Sequence, residues 1–543
     1  MKKYTDHYSN RARGPIDQSK RLPGEQGERQ TKNSAGGYSF KIDDWSALSR
    51  FLVLGSEGGS YYASEQKLTK ENAQTILRCL KADGKKTVDT IVSVSQGGRA
   101  PKNDPAIFAL ALAASEGDTA TRSYALAEMP KVARIGTHLF QFVEALRSLR
   151  GWSKAVSRGV NRWYEEKDAK NLAYQLTKYQ SREGWSHKDI FRLSHIKSKD
   201  ADHQDLYRWV VKGKEALDVI RDSESIAYMR AFEQAKSADE SEIIRLVEQF
   251  KLPWECIPTD KRSAKVWEAL LHSNALGLTA LLRNLGNLSA NGVLRAGAWD
   301  NIQLVRERLT DAEQLKKARI HPLSVLVALN TYGRGAGVRG KNTWSVVQDI
   351  RDALDDAFYL AFDAIVPANK RFLLGIDVSG SMSWGEIAGM PGITPRIGSA
   401  AMAMVTHRTE PKCLPMAFSH QLVPVELSKK EKLESVVNKF SRIPMGGTDC
   451  ALPMIYATKN NIDVDAFVVY TDSETWYNSG SGHPVQALKA YRDKTGINAK
   501  LIVVGMVASK FSIADPADGN SLDVVGFDTA APRVMRDFVA EDF

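Results

Sequence analysis

The twelve residues Gly375–Glu386, GIDVSGSMSWGE, follow directly on the apolar run FLLGI (Phe372–Ile376) and place Asp377, Ser379 and Ser381 on alternate positions. Short polar residues of this kind also cluster in ordinary loops after a strand, so the surroundings decide how the stretch is read. From VPANKR (Val366–Arg371) onward, the compact apolar runs FLLGID, CLPMAF, AFVVYTD and KLIVVGM have strand length. They alternate with the helical stretches SAAMAMVTHR, SKKEKLESVVNKF, ALPMIYATKN and HPVQALKAYRDK. Such alternation predicts an α/β doubly wound domain over 367–543, its mostly parallel sheet covered by helices on both faces. Ligands of such sheets sit beyond the carboxyl ends of the strands.

Oxygen donors gather at those ends. Asp377 closes the first strand, Thr448 lies in IPMGGTDC before a helix, and Asp472 closes the strand in YTDSETW. Two aspartates, two serines and one threonine from three loops form a set suited to a hard divalent cation, Mg²⁺ or another such as Mn²⁺. Gly380, Gly446 and Gly447 would let the backbone fold tightly around the ion. No nucleophile, base and orienting group stand together here, so the site predicts binding and not turnover. There is no second carboxylate cluster of the kind two-metal nucleases need.

The chain of 543 residues is longer than one hydrophobic core sustains, so more than one domain is expected. Its 43% hydrophobic and 25% charged residues are ordinary for a folded protein. The net charge of +10 is unevenly distributed. From Arg371 onward there are 17 basic and 19 acidic residues, whereas the preceding part carries 57 basic and 45 acidic ones. The one-sided excess fits either a polyanion-binding domain or simple solubility. Cys79, Cys256, Cys413 and Cys450 lie far apart, with neither zinc-ligand nor disulfide spacing, which predicts a reducing, cytoplasmic setting. MKKYTDHYSNRARG lacks the apolar stretch of a signal peptide, and no run is long enough to span a membrane.

Residues 1–36, rich in Gly, Pro, Gln and Arg and without periodicity, read as an extended basic arm. Over 37–366 the pattern is all-α. Val132, Ile135, Leu139, Phe142, Leu146 and Leu149 recur at three- and four-residue steps, as do Val347, Ile350, Leu354 and Phe358. Breaks such as GGRAPKNDP and KLPWECIPTDKR separate further stripes. Helices with short connections argue for stacked hairpins of the solenoid kind, or for an irregular bundle. The densest basic stretch is GWSHKDIFRLSHIKSK (Gly184–Lys199), where Lys188, Arg192, His195 and Lys199 recur at helical steps beside His187 and Lys197. Upstream, Lys170, Lys178 and Arg182 add to it. A solvated basic face and a phosphate-binding face share this pattern.

The peptides QTKNSAGGYSFKIDDWSALSRFLVLGSEGGSYYA, GWSHKDIFRLSHIK, LTALLRNLGNLSANGVL, LKKARIHPLSVLVALNTYGRGAGVRG and IPMGGTDCALPMIYA together resemble the SS-A/Ro ribonucleoprotein family, in order, from about Thr31 to Phe543. GWSKAVSRGVNRWYEE is closer to its bacterial members. The resemblance implies a HEAT-like helical-repeat ring, the TROVE module, followed by a von Willebrand factor A domain with a metal-ion-dependent adhesion site. It implies a noncatalytic RNA-binding protein, a monomer with no membrane partner. Small noncoding Y-like RNA would lie on the outer surface of the ring, and single-stranded 3′ ends of misfolded structured RNAs would enter its hole. A Y-like RNA could tether an exoribonuclease such as polynucleotide phosphorylase. The implied outer RNA surface includes Lys170, His187, Lys188 and Arg192, with Arg283, Lys316, Lys317, Arg319 and His321 as further candidates near the ring; these five could equally be interhelical hydrogen-bond donors. Two other readings stay open: a metal-dependent protein-adhesion module on a helical stalk, and a metal-dependent nuclease.

Overall fold

A computed structural model describes residues 14–56, 64–337, 342–362, 366–477, 480 and 482–540. The chain divides into two compact units: Ala73–Ala361, and a second that joins the residues up to Asn72 to Phe362–Phe543.

The helical unit is a succession of helices packed on their neighbours in sequence. Asp104–Glu116 packs against Thr119–Val132 and Gly136–Leu149, Glu240–Phe250 against Ala264–His272, and Pro322–Gly333 against Gln348–Leu360. Helix starts are chemically marked: Asp83, Asp118, Ser153, Asp168, Asp200, Ser223, Asp239, Ser263 and Asp311 each accept a hydrogen bond from the backbone N–H three residues on. Such caps satisfy donors that would otherwise be orphaned at the first turn. Of the first predicted stripe, Leu139, Phe142 and Leu146 are buried on Gly136–Leu149, but Val132 belongs to the preceding helix. The chain turns at Ala133–Ile135 between them. A short hairpin, β3 (Ser181–Arg182) with β4 (Trp185–Ser186), interrupts the helices and leads into His187–Ser194.

The two ends of the helical succession meet. Arg319 Nε donates to the Gln96 carbonyl at 2.9 Å, and His321 Nε2 contacts the Arg99 carbonyl at 3.1 Å. These contacts join residues more than 220 positions apart and close the array into a ring.

The second unit is built on a six-stranded sheet, among the described residues, in the order β11 (Ser521–Val525), β9 (Lys500–Gly505), β8 (Ala466–Thr471), β5 (Arg371–Asp377), β6 (Lys412–Phe418), β7 (Leu422–Pro424). Neighbours are parallel except β6 and β7. The central strands are buried on both faces, which explains their uninterrupted apolar runs. On one face Leu373, Met416, Phe418, Phe467, Val469, Leu501 and Val503 pack with Met454, Leu488 and Tyr491 of the covering helices.

The residues before 72 correct the sequence reading. The extended arm over 1–36 and the helical boundary at 37 do not hold: residues 14–56 are folded onto the sheet unit, while 1–13 lie outside the described residues. β1 (Gln30–Lys32) pairs with β2 (Tyr38–Lys41), and β2 pairs with β10 (Phe511–Ser512). From the following helix, Asp44–Leu54, the buried Arg50 reaches both Asp523 oxygens at 2.6 and 2.8 Å and the Ser509 and Phe511 carbonyls at 2.9 and 3.1 Å. Arg29 makes a forked pair with Asp515. Each of these contacts is local in space and remote in sequence, so no periodic signal announced it.

Candidate metal-ion and RNA sites

The register of β5 on β8 pairs Ile376 with Tyr470 and so brings the carboxyl ends of both strands to the same edge of the sheet. Asp377, Ser379, Ser381, Thr448 and Asp472 are all buried there, none more than 5% exposed. One Asp377 oxygen accepts from the Ser379 N–H at 2.8 Å, and the other accepts from the Thr471 hydroxyl at 2.7 Å. The Ser379 and Ser381 hydroxyls are 3.2 Å apart, and Asp472 accepts from the Glu474 N–H at 3.0 Å and from the Ser381 side chain. Two glycines of the Thr448 loop are needed for close approach: a Cβ on Gly446 would strike the His420 ring, and one on Gly447 the Tyr477 ring. Gly380 has open space around it, so steric need does not explain that glycine.

Burial, and then the charge of Asp472, push Asp377 up to about 7, and burial also raises Asp472. Two carboxylates in a dry site disfavour each other's ionisation unless a cation lies between them. The nearby Arg396 guanidinium donates to the Val378 and Ile443 carbonyls and feels the charge of Asp377, so it offsets part of that charge without hydrogen-bonding either carboxylate. Among the described residues no three His, Cys, Asp or Glu side chains converge as a metal cluster, so a metal here would draw on hydroxyls beside the two carboxylates. A buried pair of carboxylates with three hydroxyls is a donor set that fits one hard divalent ion.

Sequence reasoning missed the supports behind this site, which come from the N-terminal residues. Gln18 Nε2 donates to Asp449 at 3.0 Å, and its amide oxygen accepts from the Thr475 hydroxyl. Asn33 Nδ2 donates to the Thr475 carbonyl at 2.7 Å, Ser39 to the Ser473 carbonyl at 3.0 Å, and the Ala35 N–H to Glu474 at 2.8 Å. The Asp472 loop is therefore pinned by residues more than 430 positions earlier. Asn33, Ala35 and Ser39 lie in QTKNSAGGYSF, a peptide read from sequence only for its family resemblance.

The basic candidates separate into two groups. His187 is buried, with Nδ1 2.9 Å from the Tyr164 hydroxyl and Nε2 2.9 Å from the Tyr179 carbonyl. Phe140 and Trp163 flank its ring, and burial drives it down to about 4, so it is a neutral core residue and not an RNA contact. His321 is also buried: it caps Pro322–Gly333 by accepting from the Leu323 N–H and closes the ring at Arg99. Lys178, with a side chain 14% exposed, donates to the Tyr174 hydroxyl at 2.9 Å and pairs with Glu255 at 3.6 Å. Arg319 donates Nε to the Gln96 carbonyl while remaining exposed. The other three are structural.

The second group is accessible. Arg192, His195 and Lys197 are exposed and Lys188 half-buried, with no carboxylate partner among the described residues. Arg192 lies on the helix His187–Ser194, whose Ser186–Asp189 capping box fixes its start, and His195 ends that helix in a left-handed conformation. Phe191 anchors the helix beneath them, edge-on to Tyr164 at 4.9 Å and Tyr207 at 4.8 Å. Lys199 instead donates to the Glu165 and Lys167 carbonyls. Lys170 and Arg182 are exposed but paired with Glu224 and Glu183. Arg283, Lys316 and Lys317 are exposed on Leu278–Ala290 and Ala312–Lys317.

Family models match both units: the TROVE domain over residues 31–253 and 249–332, and the Ro60 vWA domain over 371–539. The chain belongs to the Ro60 family. It is 44% identical over 513 residues to the RNA-binding protein RO60 of Deinococcus radiodurans, covering 94% of this chain and 95% of that one. A Caenorhabditis elegans protein of the same name is 34% identical over 586 residues, covering 94% and 90%. The crystal structure of the Deinococcus radiodurans RO (RSR) protein matches with a TM-score of 0.70 at 43% identity, over 92% of this chain and 100% of that one. The TROVE match begins at residue 31, although the described residues 31–56 fold with the sheet unit. Among the described residues no helix is long and apolar enough to cross a membrane.

Proposed function

We propose that this Ro60-family chain is a noncatalytic RNA-binding protein whose helical ring carries the RNA and whose sheet unit carries one Mg²⁺ or a similar divalent ion. The observation that carries the RNA reading is the cluster Lys188, Arg192, His195 and Lys197, without carboxylate partners among the described residues and displayed on and just after a short helix anchored by buried aromatic rings. Cations already paired with carboxylates have less to gain from phosphate, whereas this cluster gains fully and releases counterions from the RNA. Small noncoding Y-like RNA would lie across this outer face. The closed ring would take single-stranded 3′ ends of misfolded structured RNA, since a narrow opening passes one strand and excludes a duplex. In that role the protein serves RNA quality control, or as a scaffold that presents RNA to an exoribonuclease such as polynucleotide phosphorylase. In the sheet unit, Asp377, Ser379, Ser381, Thr448 and Asp472 would hold the ion, which would keep a position for an anionic oxygen of a partner.

The test is the salt dependence of affinity for a structured RNA with a 3′ tail. The double variant Lys188→Ala, Arg192→Ala is expected to bind more weakly and to reduce the slope of log affinity against log salt by roughly 2. An unchanged slope would remove this helix from the RNA surface.

A further inference from the structure

Beside the β1–β2 hairpin, within the sheet unit, lies a cavity of about 280 Å³ that neither the ion nor the ring uses. Four lysines line it: Lys32 and Lys41 from the hairpin, Lys510 just before β10, and Lys67 from the first turn of the helix Glu65–Ala82. Backbone pairing brings three of them together. β2 pairs with β10 so that Lys41 stands opposite Phe511, and the Ile42 N–H donates to the Lys510 carbonyl at 3.1 Å. The Lys510 ammonium donates to the Glu71 carbonyl at 2.8 Å, which holds it at the cavity wall.

Two carboxylates also line the cavity, and both are engaged. Glu474 is buried and accepts from the Ala35 N–H at 2.8 Å and from Ser34. Glu71 stands 3.9 Å from Lys67, one helical turn away. Lys32 and Lys41 are exposed, with no carboxylate partner among the described residues. The cavity therefore offers cationic charge to an outside ligand, and Val507, Ala508 and Phe511 give part of its wall an apolar surface. A divalent cation would be repelled by the ammonium groups, and a neutral apolar molecule would leave them unused. A lone phosphate would leave most of the volume empty. A nucleotide satisfies both parts of the wall, because its phosphate takes the ammonium groups while its sugar and base cover the apolar surface. We propose that this cavity binds the terminal phosphate of a nucleoside 5′-phosphate, with Lys32, Lys41 and Lys510 as its cationic contacts. A free mononucleotide and the phosphorylated 5′ end of an RNA both present this group.

The experiment is calorimetry of the full chain in EDTA, so that no divalent ion takes part, with uridine 5′-monophosphate, uridine and inorganic phosphate as probes. The mononucleotide is expected to bind at least about tenfold more tightly than either of the others. Lys32→Ala with Lys41→Ala should weaken it about tenfold, with the melting temperature and the affinity for a 5′-hydroxyl hairpin RNA unchanged. Absence of mononucleotide binding, or uridine binding as tightly, would overturn the phosphate site, and inorganic phosphate binding as tightly would overturn the choice of a nucleotide. An equal loss in Lys430→Ala with Lys459→Ala, two exposed lysines outside the cavity, would reduce the binding to net charge and overturn the site as well. The source is read by displacing the mononucleotide with pentauridylate carrying either a 5′-phosphate or a 5′-hydroxyl. Stronger displacement by the phosphorylated form supports an RNA end, and failure of both forms supports a free nucleotide. Equal displacement by both would overturn recognition of a terminal phosphate.

Discussion

Asp377 and Asp472 are buried together with hydroxyls and backbone N–H groups, and Arg396, whose charge Asp377 feels, gives its hydrogen bonds to backbone carbonyls. Mg²⁺ should therefore raise the melting temperature of the sheet unit, and Asp377→Asn should abolish that rise. At a hundredfold excess over Kd the ion contributes about 3 kcal/mol, because it binds only the folded state. Asp377→Asn also relieves the like-charge contact, so the metal-free variant should melt no lower than the metal-free parent. Calorimetry of the full chain is the measurement; a Mg²⁺-induced shift retained in Asp377→Asn would exclude this carboxylate as a ligand. His187 gives a separate handle. Burial lowers it to about 4, below its ordinary 6.5, so between these values the unfolded chain binds a proton that the folded chain does not. Its contribution to stability is complete above pH 6.5 and is lost as the pH falls toward 4, by about 2 kcal/mol at pH 5. His187→Gln should flatten the pH dependence of urea unfolding over that window, and an unaltered slope would contradict the burial argument.

The hairpin β1–β2 and the turns around it act as a strap on the Asp472 loop. Asn33→Ala leaves the Thr475 carbonyl unsatisfied in a buried place, a loss of about 1 to 3 kcal/mol. Mg²⁺ affinity should weaken with it, since the loop that carries Asp472 loses its anchor, whereas RNA affinity should not change. Parallel Mg²⁺ and RNA titrations of the variant check this; weakened RNA binding with unchanged Mg²⁺ binding would invert the assignment. A fragment beginning near Pro367 lacks the strap and is not a fair test of the site. The central strands were legible because burial on both faces makes them continuous apolar runs, and the donor set was legible because it sits where those runs end. The strap was not, since Gln18, Asn33 and Ser39 act through single hydrogen bonds without any period. The histidines misled for a related reason: in GWSHKDIF a buried imidazole and a half-buried lysine stand side by side. Ser186 and Asp189, three residues apart, marked His187 as the first residue of a capped helix, but not the direction of its ring.

The helical unit closes on itself through Arg319 and His321 at Gln96 and Arg99, a feature that no helix count could reveal. In the proposed function, closure leaves an opening that passes one strand and excludes a duplex, so that RNA selection would depend on a free single-stranded end. The most direct test is fluorescence anisotropy on one hairpin RNA in three forms: with a single-stranded 3′ tail, with the same tail at the 5′ end, and blunt, all at one salt concentration. The 3′-tailed hairpin is expected to bind at least about tenfold more tightly than the blunt one, a difference of about 1.4 kcal/mol. Equal affinity for all three forms would contradict it.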